Sequence, residues 1–149
     1  MSKPKPKEFD VDKYEHVISR LRENMSELEL EQSCEEVALD ILQNYEGFEK
    51  VEKGPTFRGT PFDFFGFKNG SPYIIELKGS LNSFNAPGET QKRRLKELLK
   101  SIKGLKVALL QVKLRKGEYR IFCDEDMEIL FQRRRAPLEP IEDWIKERF

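Results

Sequence analysis

Apolar residues recur along the chain with two periods, one helical and one extended, and their alternation gives an order of elements. Helical spacing is found at 11–22, 26–47, 89–104 and 136–149. Extended apolar runs are found at 48–53, 62–67, 73–78, 105–114 and 118–123. The order α, α, β, β, β, α, β, β, α predicts an α/β fold in which helices flank a mixed central β-sheet.

The two central helices carry start and stop signals. Ser26 followed by Glu29 resembles a capping box, and Gly47 and Gly104 stand where the helices should end. Each helix should turn an apolar stripe toward the core. The stripes are Val37, Ala38, Ile41, Leu42 and Tyr45 in the first helix and Leu95, Leu98, Leu99 and Ile102 in the second.

Residues 59–80 read GTPFDFFGFKNGSPYIIELKGS and predict a β-hairpin, because Asn-Gly tolerates the positive φ angles of a tight turn. A hairpin would place Asp63 beside Glu76 on otherwise apolar strands. Lys78 follows Glu76 by two residues and should therefore point to the same face of the sheet. Simpler roles stay open at this point: Asp63 could cap a turn or pair with Arg58, and Glu76 and Lys78 could be a solvated pair on an edge strand.

The composition indicates a single domain spanning 1–149, in which residues 1–8 form a disordered or extended polar tail. No run of about 18 apolar residues is present, so no membrane segment is expected. No apolar stretch follows the basic N-terminus, as a signal peptide requires. Cys34 and Cys123 form no CxxC pair, which argues against zinc and against a disulfide framework. We therefore expect a cytoplasmic protein.

Several catalytic classes are excluded by what the sequence lacks. His16 is the only histidine, so a catalytic triad or a His-rich metal site is not supported. Neither GxxxxGK[ST] nor GxGxxG occurs, so no organic cofactor of the nucleotide type is expected. Any catalysis has to depend on carboxylates and lysine.

Asp63 and Glu76 suit that requirement, because hard cations such as Mg²⁺ prefer carboxylate and water oxygens. Together with the backbone carbonyl of Leu77 they could supply part of an octahedral shell for Mg²⁺ or Mn²⁺. A cation there could polarise a phosphodiester and activate a water without any histidine. The Lys78 ammonium could orient that water and stabilise the charge that develops on phosphate.

Asp63, twelve intervening residues and Glu76-Leu77-Lys78 resemble the D…(D/E)-x-K signature of the PD-(D/E)XK nuclease superfamily, although the literal Pro-Asp pair is absent. That superfamily includes many restriction endonucleases and archaeal Holliday junction resolvases. The resemblance implies a restriction-endonuclease-like core at about 31–123, with extra helices at the N- and C-terminal ends. It also implies a metal-dependent endodeoxyribonuclease, with structure-selective cleavage as one form of that activity.

Two further site residues follow from the resemblance. The family commonly carries an acid on its first core helix, and we favour Glu35 over the alternative Glu36 because Glu35 better follows the buried stripe. Many relatives carry Gln or Lys on the helix after the ExK strand, and Gln91 is the matching residue. A homodimer is one arrangement that the resemblance allows, since a small nuclease of this type often needs two copies to cut two strands.

Charge is distributed unevenly along the chain, although the net charge is zero. Residues 1–50 hold 7 Lys/Arg against 13 Asp/Glu, whereas residues 91–120 hold 11 against 2. A basic segment suits a polyanionic partner such as DNA. The expected phosphate contacts are Lys92, Arg93, Arg94 and Lys96, while Arg133–Arg135 is either a further contact or a solvent-facing run.

The sequence therefore supports two functions. The first is a Mg²⁺-dependent DNA endonuclease with Asp63, Glu76, Lys78, Glu35 and Gln91 as its catalytic set. The alternative is a non-catalytic module of the same fold that binds nucleic acid or a protein partner. The intact set of two acids and a lysine favours the first.

Overall fold

The computed structural model describes residues 3–10, 12–14, 26–57, 59–123 and 126–131. Its α-helices are α1 (Glu27–Asp40), α2 (Glu89–Ser101) and α3 (Met127–Phe131). A π-helical turn at Ile41–Tyr45 continues α1, and Asp12–Tyr14 forms a short 3-10 helix. Within these ranges, no helix has both the length and the apolar content needed to cross a bilayer.

Six strands form one sheet, and two more form a separate pair. The strands are β1 (Lys7–Glu8), β2 (Glu49–Lys53), β3 (Thr56–Phe57), β4 (Thr60–Pro61), β5 (Phe64–Lys68), β6 (Ser71–Ser80), β7 (Lys106–Lys113) and β8 (Glu118–Cys123). The sheet order is β1-β8-β7-β6-β5-β2, and β3 pairs with β4. Only β6 and β7 run parallel in this sheet, joined through α2, so the described part of the chain is an α/β protein with a mixed, open sheet.

Helices cover both faces of the sheet. On one face, α1 and the π turn bury Val37, Ala38, Ile41 and Leu42 in a cluster that includes Leu110. On the other face, α2 and α3 contribute Leu95, Leu98 and Met127 to a second cluster that includes Leu109. Because successive residues of β7 enter opposite clusters, this strand is apolar on both faces, as its sequence predicts.

The hairpin prediction is confirmed. β5 and β6 pair up to Lys68 and Ser71, which leaves a two-residue turn of Asn69 and Gly70. Both turn residues have positive φ, at 52° and 76°, as a tight hairpin requires. β6 lies between β5 and β7, so the edge-strand alternative for this segment is wrong.

The N-terminal cap of α1 is also confirmed, because the Ser26 side chain accepts a hydrogen bond from the Glu29 amide at 3.3 Å. The N-terminal tail, predicted for residues 1–8, is shorter in the structure. Lys7 and Glu8 pair with β8, and Lys7 Nζ lies 3.0 Å from the buried Glu46 carboxylate, which also accepts from Tyr119. The terminal helix patterns at 11–22 (beyond Asp12–Tyr14) and 136–149 lie outside the described residues.

Three residues of the predicted stripes are exposed: Tyr45 (40%), Leu99 (37%) and Ile102 (39%). Tyr45 ends the π turn, whose wider spacing rotates it off the stripe that Ile41 and Leu42 continue. Ile102 follows the end of α2 with extended backbone angles, and Leu99 lies on the flank of the helix beside the buried Leu98. The stripe of α2 is therefore narrower than its sequence suggests.

The packing of α1 on β6 is closest at Gly79. A methyl group placed at Gly79 would overlap the Cys34 side chain, which is buried in α1. Only glycine lets the helix approach the strand at this distance. The contact fixes the separation of α1 and β6 one residue after Lys78.

We expect Gly79→Ala to lower the free energy of unfolding by about 1–3 kcal/mol, because the added methyl overpacks a filled contact. Chemical denaturation of the purified variant measures the loss. Gly88→Ser is the matched control, since no atom lies within 4 Å of a Cβ at this helix N-cap and serine is a good capping residue. Equal stability of Gly79→Ala and the wild type would contradict the close approach.

Candidate active site on the diverging hairpin

β5 and β6 stop pairing at Phe64 and Ile75, and the two candidate acids lie directly beyond that point. The Asp63 amide donates to Glu76 Oε1 at 3.1 Å, and the Leu77 amide donates to Asp63 Oδ2 at 2.8 Å. Carboxylates therefore take the place of the missing backbone ladder. This pair of reciprocal bonds holds the two side chains side by side, as the hairpin prediction required.

The backbone of Asp63 is held on its other side as well. The Gly54 amide donates to the Asp63 carbonyl at 2.8 Å, and the Phe62 amide donates to the Pro55 carbonyl at 3.1 Å. A side chain at Gly54 would overlap the backbone of Phe62, so the segment after β2 lies directly against the acid-bearing segment. Sequence reasoning missed this support, although a glycine at the end of a strand is a signal of close backbone approach.

The Leu77 carbonyl also faces the gap between the strands. In an extended strand the N–H and C=O groups of one residue point to the same neighbouring strand. Since the Leu77 amide donates to Asp63, its carbonyl points to the same side. The proposed backbone ligand is thus on the correct side of β6.

Gln91 reaches the acids from the opposite helix. Its Nε2 donates to Glu76 Oε2 at 2.6 Å, across fifteen positions of sequence. The residue lies in the first turn of α2, which enters from the loop after β6. The resemblance placed Gln91 at the site, and the geometry brings it into direct contact with Glu76.

Burial dominates the electrostatics of the acid pair. It raises the pKa of Glu76 from its ordinary 4.5 to about 7, and repulsion from Asp63 acts in the same direction, against hydrogen bonds from the Asp63 amide and Gln91. Burial also raises the pKa of Asp63, opposed chiefly by the hydrogen bond from Leu77 and also by the charge of Lys78. Two adjacent carboxyl groups with raised pKa values share a proton near neutral pH unless a cation neutralises them.

A cleft of about 310 Å³ opens beside Asp63 and is lined by both Lys78 and Glu35. Glu35 acts to raise the pKa of Asp63, and Lys78 acts to lower it, so both charges lie close to that carboxylate. Glu35 also lies 3.4 Å from Lys53 Nζ. Glu35 therefore lines the cleft, as favoured from the sequence, whereas Glu36 is exposed and is not among the lining residues.

The predicted metal ligands differ in how close they lie to one another: Asp63 and Glu76 are adjacent, whereas Glu35 stands apart. Asp63 and Glu76 are adjacent, and a carboxylate oxygen that accepts one hydrogen bond keeps a lone pair for a cation. Mg²⁺ is commonly held by one or two carboxylates with water completing its shell. However, the described residues include no group of three His, Cys, Asp or Glu side chains that could hold a metal, so Glu35 is not grouped with Asp63 and Glu76 in this arrangement, and its part in metal binding stays a prediction.

The basic residues of α2 lie outside the acid pair. Arg93 and Arg94 are exposed, whereas Lys92 pairs with Glu89 at 3.5 Å and Lys96 donates to the Phe131 carbonyl at 3.3 Å. Two of the four expected phosphate contacts therefore have partners within the protein. Arg133–Arg135 and His16 lie outside the described residues.

Five lining residues of the cleft were not anticipated: Glu27, Leu30, Glu31, Cys34 and Gly79. Glu27 and Glu31 precede Glu35 by eight and four positions, so α1 presents three acids along one face of the cleft. The spacing of four was visible in the sequence as a repeat of glutamates. The same spacing is typical of a solvated helix face, and only the position of β6 shows that these glutamates line a cleft.

We expect stability to fall with rising pH across the titration of Glu76, measured with a chelator present. A carboxyl whose pKa is higher in the folded state than in the unfolded state stabilises the protein fully below about pH 4.5 and loses that contribution as pH rises through about 7. The loss should be on the order of 2 kcal/mol. Urea unfolding at pH 5 and pH 8 measures it.

Glu76→Gln is the matched variant, because it keeps the side-chain shape and removes the titration. Its difference in unfolding free energy between pH 5 and pH 8 should be smaller than that of the wild type. An identical difference in both proteins would show that Glu76 titrates in the folded state as it does in the unfolded chain.

Comparison with known proteins adds no assignment: no family model matches this chain, and no curated protein matches it at a significant level. A functional conclusion therefore has to rest on the geometry of Asp63, Glu76, Lys78 and their neighbours.

Proposed function

We propose that the protein is a metal-dependent nuclease that hydrolyses phosphodiester bonds in DNA, with a PD-(D/E)XK-type site on a restriction-endonuclease-like core. The single observation that carries the proposal is the reciprocal bonding of Asp63 and the Glu76-Leu77 segment at the end of the hairpin. It brings the buried Glu76 carboxylate, the half-buried Asp63 carboxylate, the Leu77 carbonyl and Lys78 together at the end of the hairpin.

The residues present suit a divalent cation such as Mg²⁺ or Mn²⁺. Asp63, Glu76 and the Leu77 carbonyl would hold it, and waters would complete the shell. Such a cation supplies Lewis-acid activation of water and of the phosphodiester. It would also reduce the repulsion between the two adjacent acids, whose pKa values are raised chiefly by burial.

Lys78, Gln91 and Glu35 have separate roles in the proposed reaction. Lys78 lines the cleft beside Asp63, where its ammonium can orient the attacking water and stabilise charge on the phosphate. Gln91 fixes the orientation of Glu76 through its hydrogen bond. Glu35, on the far wall, is placed to hold water rather than to ligate directly.

A second candidate function is a non-catalytic module that binds nucleic acid or a protein partner. The observation in its favour is that the described residues form no group of three potential metal-ligating side chains. In that case the hydrogen bonds among Asp63, Glu76 and Gln91 would serve only to close the end of the hairpin. The following experiments distinguish the two candidates.

We expect the protein to nick supercoiled plasmid DNA in the presence of Mg²⁺ and to lose this activity in EDTA. Asp63→Asn should abolish nicking, because the amide keeps the shape of the side chain but removes the charge that binds the cation. Lys103→Gln is the control, since Lys103 is exposed in the turn that precedes β7, at the end of the parallel strands remote from Lys78. DNA that is retarded in a gel but never cut would support the binding module instead.

We expect Lys78→Ala to reduce single-turnover cleavage by at least about 10²-fold, the scale for losing one preorganised electrostatic group. Affinity for DNA and for Mn²⁺ should stay close to the wild-type values, because Lys78 is not a proposed ligand. Lys78→Arg should not restore cleavage, since a planar guanidinium cannot replace a compact ammonium. Parallel measurements of binding and melting temperature separate this effect from a loss of stability.

Full cleavage by Lys78→Ala would contradict the role given to this lysine. A loss of melting temperature that matched the loss of activity would assign Lys78 to packing.

A further inference from the structure

A row of polar side chains crosses the sheet from Lys78 toward β8. Lys78 is paired with Gln111 on β7, and Gln111 is paired with Arg120 on β8. The rows on either side include Glu76, Leu109 and Phe122 in one and Ser80, Lys113 and Glu118 in the other. Neighbouring strands are about 4.8 Å apart, so the Cα atoms of Lys78 and Arg120, two strands apart in this row, are separated by about 10 Å.

Gln111 fixes the position of the arginine. Arg120 Nε donates to Gln111 Oε1 at 2.7 Å, and Gln111 Nε2 donates to the Asn85 carbonyl at 2.7 Å. Gln111 is only 1% exposed, so a buried amide connects the guanidinium with the loop between β6 and α2. This bond uses one of the five N–H donors of Arg120.

Phe84 in the same loop brings a second cation close to the first. Lys113 Nζ lies 4.0 Å and Arg120 Cζ lies 4.7 Å from the centroid of the Phe84 ring. The negative face of an aromatic ring attracts cations, which offsets part of the repulsion between them. Glu118 Oε2 lies 3.7 Å from Lys113 Nζ, and among the described residues no other ion pair involves Lys113 or Arg120.

The cleft beside Asp63 has the reverse charge. Glu27, Glu31 and Glu35 of α1 line it together with Lys78, whereas Lys113 and Arg120 lie outside its lining. A polyanion that enters the site would be repelled by α1 and attracted toward β8. The charges on the two sides therefore define one favourable direction for a phosphate backbone.

We infer that the DNA strand leaves the proposed catalytic centre over β7 and β8, with Arg120 and Lys113 bound to its phosphates next to Phe84. The inference rests on the proposed function for its starting point and adds the path of the strand. Arg120 offers a planar fork for a phosphate, and Lys113 offers a point charge beside it. The acidic wall of α1 keeps the strand on this path.

The test is the affinity of labelled DNA for four variants, measured by fluorescence anisotropy in EDTA, where no cleavage interferes. Arg120→Gln and Lys113→Gln remove one charge each and keep a polar side chain of similar length. Each should weaken binding several-fold and reduce the slope of log affinity against log salt by about 1. Lys103→Gln, at the remote end of β7, should leave both quantities unchanged.

The fourth variant, Glu118→Gln, should tighten binding, because it releases Lys113 from the one acid that pairs with it among the described residues. A gain of affinity cannot result from damage to the fold, so this variant separates substrate contact from a structural role. Circular dichroism melting of all four variants shows whether each is folded. Unchanged affinity and salt slope in Arg120→Gln and Lys113→Gln would overturn the inference.

Failure of this inference is distinguishable from failure of the proposed function. If the wild-type protein nicks DNA and the Arg120→Gln and Lys113→Gln variants bind DNA as the wild type does, the proposed strand path is wrong and the proposed function stands. Absence of nicking with the expected loss and gain of affinity would overturn catalysis and leave the phosphate-binding surface in place. Equal competition by a poly-glutamate peptide of the same charge would point to an acidic protein partner and overturn the assignment to DNA.

Discussion

The point at which β5 and β6 stop pairing is the constraint on which the site depends. Two strands that separate leave backbone amides without partners, and a buried amide without a partner is costly. Here the Asp63 and Glu76 carboxylates accept those amides. The same bonds that close the end of the sheet therefore pair the buried Glu76 carboxylate with the half-buried Asp63 carboxylate. Stability and candidate chemistry therefore depend on the same contacts. The Gly54 amide, which bonds the Asp63 carbonyl, and the Gln91 side chain, which bonds Glu76, hold the two acids in place.

This arrangement sets two demands against each other. Burial of adjacent carboxyl groups favours a proton between them, whereas a cation site needs both groups ionised. Lys78 and the amide of Leu77 favour the ionised form of Asp63, and Glu35 opposes it. Burial outweighs the contributions that favour ionisation, so the pKa of Asp63 is raised. Around this pair the surface charge changes sign, from the glutamates of α1 in the cleft to Lys113 and Arg120 on β7 and β8.

Local patterns predicted the elements well because each depends on neighbouring residues. The Asn69-Gly70 turn, the Ser26 cap and the doubly apolar β7 are of this kind. The exposure of Tyr45 could not be predicted, since it depends on a π turn that no local signal marks. Nor could the contact of Cys34 with Gly79 or the link from Gln111 to Asn85, because each joins segments far apart in sequence. The support from Gly54 is local by comparison, and its signal was a glycine at the end of a strand. The resemblance to PD-(D/E)XK nucleases located Gln91 and Glu35, which pattern alone would have left as surface residues.

The local origin of the acid pair has a consequence for how the chain folds. Asp63 and Glu76 belong to one hairpin with a two-residue turn, so little loop entropy opposes their meeting. Isolated hairpins close in about 1–10 μs, well before contacts between distant segments form. Gln91 on α2 and Glu35 on α1 each lie 28 positions from Asp63, and Arg120 on β8 lies 57 positions away, so these residues join the acids only when α1, α2 and β8 have been added. We therefore expect the two carboxylates to meet while still exposed to water, before the rest of the fold is assembled around them.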